Sequence, residues 1–239
     1  MMDNATPRSL FSFGLALVAF AVLVATAAFA NGRPEYIETR GQLSDEEFYR
    51  IISCEGRAGR ACKNTIIKWS PAHRRNLTVG ITQLEDGFSP TKAARIAASL
   101  KNAVNEINRA GSGVTMQLVT GAAAKKAQIQ VFLVNTSPGD RMTKVDSRLL
   151  RGRDAQIGYV HVSYRRNTID QAHIALSRDI TLSQTHSVVL EELVQSLGLL
   201  TDILNPYYKR RSIFAEDCNC TTRLTGQDLA VLRRHYPPL

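Results

Sequence analysis

The clearest hydrophobic pattern along the chain lies in residues 186–202. Apolar side chains recur there with the spacing of a single helix face, at Leu190, Leu193, Val194 and Leu197. That spacing predicts a helix with one side against a core. The other side carries Glu191, Glu192 and Gln195, so one turn presents two carboxylates and an amide. Gly198 follows the periodic run and predicts the end of the helix.

Three further helices are predicted from capping residues and apolar spacing. The dipeptide Ser89–Pro90 has the pattern of an N-cap and a first-turn proline, and it opens a long helix that ends near Gly111. A short helix begins at the capping box of Ser44 and Glu47. A final helix is predicted for residues 225–236.

Six extended segments are predicted from alternating or continuous apolar residues. They are Thr65–Trp69, Leu77–Leu84, Val114–Val119, Ala127–Val134, Gly158–Ser163 and Ala172–Ser177. The polar segment Asn31–Leu43 is predicted to be a flexible lead-in. The chain therefore passes from strands into the long helix, through several further strands, and then into the 186–202 helix.

The 186–202 helix resembles the active-site helix of zinc peptidases, whose pattern is H-E-x-x-H-x-x-G. Glu191 and Gln195 stand at the positions of the two zinc-binding histidines. Glu192 stands at the position of the general-base glutamate, and Gly198 at that of the glycine in the following turn. The zinc peptidases that carry this pattern are called zincins. This chain therefore resembles a zincin in which both zinc-binding imidazoles have been replaced.

Two later motifs indicate which family of zincin-like domains the chain resembles. Asp202 and the segment Ser212–Phe214 follow the helix as they do in a bacterial family of secreted, zincin-like domains of unknown function. The resemblance runs from Ile66 to the C-terminus and implies an α+β fold. That fold has a mixed twisted sheet, with the long helix and the 186–202 helix packed on it, and a helix at the C-terminus. In zincin catalytic domains an antiparallel edge strand lies beside the active-site helix and holds an extended peptide.

The residues at the motif are poor zinc ligands. A catalytic zinc needs typically three protein ligands and an open position. Gln195 offers only a neutral amide, and Thr201 stands where some zincins place a third histidine. Glu192 then has no metal-activated water to deprotonate. The preferred hypothesis is a non-catalytic pseudo-metallopeptidase, without a metal cofactor, that binds an extended peptide or an envelope partner.

Two alternatives remain open. In the first, Glu191, Gln195 and Asp202 form an oxygen-rich site for a divalent metal, and Glu192 is the catalytic base of a metal-dependent hydrolase. In the second, these polar side chains lie on a solvated outer face of the helix and have no role beyond solubility.

The beginning of the chain has the pattern of an export signal. Residues 10–30 are nearly all apolar, Arg8 precedes them, and Ala28 and Ala30 have the spacing of a cleavage site. A signal peptide cut before Asn31 is predicted. An uncleaved membrane anchor is the alternative, because the run approaches the ~20 residues of a spanning helix. Both predict an exported protein, periplasmic or extracellular, with an N-terminal arm at 31–65 and a zincin-like domain at 66–239.

The net charge is +9, and the basic residues form only short groups. Aromatic residues are not interleaved with them, which argues against a nucleic-acid partner. A solvated basic surface is the preferred interpretation, and long-range attraction to an anionic envelope component is the alternative. Tyr208, beside the basic residues 209–211, is a candidate for binding it. Contact with a membrane is predicted only through an uncleaved N-terminal segment.

The remaining chemistry is limited to cysteines and histidines. An even number of cysteines in an exported chain predicts disulfides. The four residues are Cys54, Cys62, Cys218 and Cys220, and both local and crossed pairings stay open. His161 and His173 are predicted to be hydrogen-bonded residues of strands, whereas His73 and His235 are predicted to lie on the surface.

Overall fold

A computed structural model describes residues 36–57 and 59–238, so the predicted export signal lies outside the described residues. The strands are β1 (Tyr36–Glu38), β2 (Lys68–Trp69), β3 (Leu77–Leu84), β4 (Met116–Leu118), β5 (Ile129–Val134), β6 (Gly158–Arg165), β7 (Thr168–Ser177) and β8 (Asp202–Leu204). The helices are α1 (Asp45–Cys54), α2 (Pro90–Arg109), α3 (Thr185–Gln195) and α4 (Gly226–His235), with a 3₁₀ helix at Gly121–Lys126. Within the described ranges, no helix combines the length and apolarity that crossing a bilayer requires.

The main sheet has six strands, and all except β6 run parallel to their neighbours. Strands β4, β3, β5 and β7 lie side by side in that order. Strand β6 pairs antiparallel with β7 along almost all of its length. Strands β2 and β5 therefore share the other side of β7, end to end, and β6 forms an edge. This mixed sheet, with the long α2, α3 and the C-terminal α4, confirms the predicted α+β fold.

Each face of the sheet is covered differently. Helices α2 and α3 pack on one face, where the main core includes the side chains of Ile96, Leu100 and Leu190. The opposite face is covered by the long connection between β5 and β6, which buries a smaller cluster around Phe132 and Met142. The sheet is therefore buried on both sides, as expected when its strands are parallel.

Two strands were not predicted from the sequence. β1 and β8 form a parallel pair in which Tyr36 lies opposite Asp202. The prediction that Asn31–Leu43 is a flexible lead-in is thus wrong for residues 36–38. Each of these strands has only three residues and, unlike β4, does not lie within a longer alternating apolar run. The described residues, 36–57 and 59–238, belong to one compact unit.

Local sequence explains the helix starts and one tight connection. The capping box of Ser44 and Glu47 forms as predicted, and Ser89 caps α2 by accepting a hydrogen bond from the Lys92 N–H. Between β6 and β7, residues 166 and 167 both have positive φ, as a two-residue hairpin turn requires.

Both disulfides join near neighbours, Cys54 to Cys62 and Cys218 to Cys220. This is the local pairing.

Candidate functional site

Helix α3 ends where the glycine of the motif predicts, and the end is held by distant residues. Gly198 has φ 96°, and a Cβ atom at this position would collide with the Ile67 carbonyl oxygen. The carbonyl of Ser196 accepts a hydrogen bond from the Trp69 indole at 3.0 Å, and that of Leu197 accepts one from the Tyr236 hydroxyl at 2.7 Å. These bonds satisfy carbonyls that a helix end leaves unpaired.

The polar side of α3 is buried. Glu192 and Gln195 are each only 6 % exposed. The alternative in which these residues form a solvated outer face is therefore wrong. The apolar stripe alone could not reveal this, because the side chains that cover the polar side come from distant segments of the chain.

Gln195 contacts Asp202 at the start of β8. Its Nε2 atom donates to both carboxylate oxygens of Asp202, at 3.0 and 3.2 Å. Asp202 is itself 8 % exposed, so this is a buried hydrogen bond to a charged acceptor. A metal bound by this pair would have to displace the amide from the carboxylate.

Glu192 packs against the first residue of the edge strand. A Cβ atom on Gly158 would collide with the Glu192 carboxyl group and with a methyl group of Val188. Only glycine lets β6 approach α3 this closely. The position of the general-base glutamate in the motif thus lies directly beside β6.

The carboxylates around α3 influence one another. Burial raises the pKa of Glu191 well above its usual value, and the negative charges of Asp202 and Glu192 raise it further. Glu216 and Asp228 add smaller contributions in the same direction. Glu191 keeps part of its surface accessible. The site is therefore acidic, although the protein as a whole is basic.

Within residues 36–57 and 59–238, no group of three or more His, Cys, Asp or Glu side chains is arranged to hold a metal ion. The predicted alternative ligands, Glu191, Gln195 and Asp202, contribute only two such residues, with the amide nitrogen of Gln195 turned toward Asp202. The donor set at α3 thus fits a metal ion poorly in this conformation.

Tyr208 does not lie at a binding surface. It is 3 % exposed, its hydroxyl accepts from the Leu43 N–H at 3.0 Å, and it donates to Gln227 Oε1 at 2.7 Å. Its ring packs against Phe48 of α1 with centroids 4.9 Å apart. The prediction that Tyr208 binds a partner is not supported by this position, because its hydroxyl already joins the N-terminal arm to α4.

Asp228 in α4 is a buried carboxylate that the sequence analysis missed. It accepts hydrogen bonds from the Ser212 hydroxyl at 2.6 Å and from the Ile213 N–H at 2.9 Å. Burial raises its pKa to about 7, despite these two bonds. Ile213 and Phe214 lie in the core. No motif links a carboxylate in a late helix to this segment, so only the fold reveals the contact.

Two of the histidine predictions are confirmed and one is wrong. His73 is exposed, as predicted. His173 is a hydrogen-bonded strand residue, with Nδ1 2.6 Å from the Ser147 hydroxyl. His235 is wholly buried, not on the surface, with Nε2 3.0 Å from the Ile67 carbonyl oxygen and Nδ1 3.3 Å from the Tyr49 hydroxyl. Burial lowers the pKa of His235 to about 3, so the ring is neutral.

No curated protein matches the chain. A family model does match residues 47–239, which is most of the sequence, and the chain therefore belongs to the family described as protein of unknown function (DUF2927).

Proposed function

We propose that the protein is a non-catalytic, zincin-like domain that binds an extended peptide along β6. The observation that carries this proposal is the position of β6, an antiparallel edge strand whose first residue packs against Glu192 of α3. Peptides commonly bind proteins by adding a strand to such an edge.

The pairing with β7 determines which groups of β6 face outward. The Ser177 N–H donates to the Ile157 carbonyl at 3.0 Å, so this pair is hydrogen-bonded. Hydrogen-bonded and non-hydrogen-bonded pairs alternate along an antiparallel ladder. The N–H and C=O groups of Gly158, Val160 and Val162 therefore point away from β7. Within the described part of the chain they have no hydrogen-bond partner.

Three features support the zincin-like part of the proposal. The strand order places the antiparallel strand at an edge beside α3, as the resemblance implies. Gly198 ends the helix at the position that the motif requires. Gln195, at the second histidine position, is engaged by Asp202. These features support a peptidase-like scaffold that lacks a convincing set of zinc ligands.

A metal-dependent hydrolase is the second candidate, and one observation favours it. Burial, and then the charges of Asp202 and Glu192, raise the pKa of Glu191, as in many acid–base sites. This candidate predicts that the wild type cleaves peptides and that Glu192→Gln does not. It also predicts that a chelator abolishes the wild-type cleavage and that added divalent metal restores it. Binding without cleavage, unchanged by chelators, contradicts it.

The proposal is tested by selecting ligands from a displayed library of unstructured ten-residue peptides against the protein without its predicted signal. A selected peptide is then measured against Val160→Pro and Val160→Thr. Proline removes an outward N–H that the pairing with β7 does not use, whereas threonine keeps the shape and the N–H. Binding is expected to be lost only with proline. The absence of any selected peptide, or equal binding by both variants, overturns the proposal.

A further inference from the structure

The two disulfides occupy different surroundings. Cys54 lies at the end of α1 and is 1 % exposed, whereas its partner Cys62 is exposed. Cys218 and Cys220 lie in the connection between β8 and α4, where Cys220 is exposed and Cys218 half-buried. Each disulfide therefore has one exposed cysteine, but Cys218, unlike Cys54, also keeps part of its surface accessible to a thiol from another molecule.

The second disulfide closes a very small ring. Only Asn219 separates its cysteines, whereas Cys54 and Cys62 are eight positions apart. A disulfide stabilises a fold mainly by removing freedom from the unfolded chain, and the effect grows with the length of the loop it closes. The Cys218–Cys220 disulfide therefore contributes least to stability.

Other contacts already hold this connection in place. The Cys218 N–H donates to the Ala215 carbonyl at 3.1 Å, and the Ser187 hydroxyl of α3 donates to the Thr221 carbonyl at 2.7 Å. The bend itself is closed by the Cys220 N–H, which donates to the Cys218 carbonyl at 2.9 Å. Hydrogen bonds therefore hold this connection in addition to the sulfur–sulfur bond.

Stability and reduction are thermodynamically linked. A disulfide that stabilises the folded state resists reduction by the same factor, and one that contributes little is reduced more easily. From loop length alone, the Cys218–Cys220 disulfide is expected to be roughly fivefold easier to reduce than Cys54–Cys62.

We propose that Cys218 and Cys220 form a redox-active pair that exchanges with dithiols of peptides or proteins. One substrate thiolate attacks the exposed Cys220 sulfur, the Cys218–Cys220 bond breaks, and Cys218 leaves as a thiolate. The second substrate thiolate then attacks the mixed disulfide and releases Cys220. The substrate loses two electrons and its two thiol protons and gains a disulfide, while the protein becomes a dithiol. This activity is independent of peptide binding along β6.

The pair is tested in redox buffers of reduced and oxidised glutathione, in which two glutathione molecules replace one dithiol. Wild type, Cys54→Ser/Cys62→Ser and Cys218→Ser/Cys220→Ser are equilibrated, alkylated and mapped by mass spectrometry. Cys218–Cys220 is expected to be half reduced in a buffer at least roughly fivefold more oxidising than the one that half reduces Cys54–Cys62. The Cys218→Ser/Cys220→Ser variant is expected to keep its circular dichroism spectrum and melting temperature.

Several results overturn the proposal. The first is that both disulfides are reduced together, or that Cys54–Cys62 is reduced first. A crossed pairing found by peptide mapping is the second. The third is unfolding of Cys218→Ser/Cys220→Ser, because the disulfide would then be a structural link. In that case the Cys54→Ser/Cys62→Ser variant still reports the potential of the remaining pair.

Discussion

The Nε2 atom of Gln195 lies 3.0 Å from Oδ1 and 3.2 Å from Oδ2 of Asp202. This bond joins α3 to β8 across the turn at Gly198, and β8 continues the connection to β1 through the pairing of Asp202 with Tyr36. At the position where the proposed resemblance would put a metal ligand, this chain has a direct hydrogen bond between two protein groups.

Replacing Gln195 by leucine is expected to destabilise the fold. The substitution removes the hydrogen bonds that Gln195 donates to the buried Asp202 carboxylate, at a cost of roughly 1.5–3 kcal/mol in the free energy of unfolding. Urea denaturation followed by circular dichroism measures this change. The control is Gln117→Leu on the exposed surface of β4, which is expected to change stability by less than about 0.5 kcal/mol. Equal effects of the two variants would show that the Gln195–Asp202 bond contributes nothing.

Adding a methyl group at Gly158 is expected to separate β6 from α3. Gly158→Ala places a Cβ atom against Val188 and Glu192, and overpacking of this kind costs about 1–3 kcal/mol. Val188→Ala removes one of the two obstacles, so the double variant is expected to be less destabilised than the sum of the single variants. Strict additivity in thermal or urea unfolding would mean that β6 and α3 do not meet at this point.

Asp228 is expected to weaken the fold as the pH rises. Its pKa in the folded state is about 7, above the ordinary value of 3.8, so folding favours the protonated carboxyl. The stability it contributes is complete below pH 3.8 and is lost as the pH rises to 7, by up to about 1.4 kcal/mol for each pH unit. Asp228→Asn, which cannot ionise, is the reference. A stability difference between the two proteins that stays constant from pH 4 to pH 8 contradicts the assignment.

His173 is expected to act in the opposite pH direction. Burial, and then the nearby His161, lower its pKa from 6.5 to about 4, so folding favours the neutral ring. The stability it contributes is complete above pH 6.5 and is lost as the pH falls toward 4. His173→Gln keeps a polar group beside Ser147 but does not titrate. Wild type is expected to lose stability relative to this variant between pH 6.5 and 4, measured by urea titration at each pH. Parallel curves would contradict this.

Hydrophobic periodicity predicted the elements that bury a regular face, which are α2, α3, α4 and the longer strands. It failed for β1 and β8, because these short strands, unlike β4, do not lie within a longer run of alternating apolar residues. The polar side of α3 was the more serious failure. Glu192 and Gln195 are buried by β6 and by the chain around Asp202, which lie far from the helix in sequence or beyond its end. Local spacing carries no information about such contacts.

Buried polar partners were missed for the same reason. Asp228 meets Ser212, and His235 meets Ile67, through packing that brings the C-terminal helix onto earlier segments. The glycine of the motif was predicted correctly, because Gly198 ends the helix through its own positive φ, a property of that residue alone.

The central claim is tested most directly by amide hydrogen exchange, measured with and without a peptide selected on the wild-type protein. The outward amides of β6 belong to Gly158, Val160 and Val162. We expect these three to become protected in the complex, while the inward amides of Tyr159 and His161, already paired with β7, change little. Protection elsewhere, with these three amides exchanging as in the free protein, would contradict binding along β6.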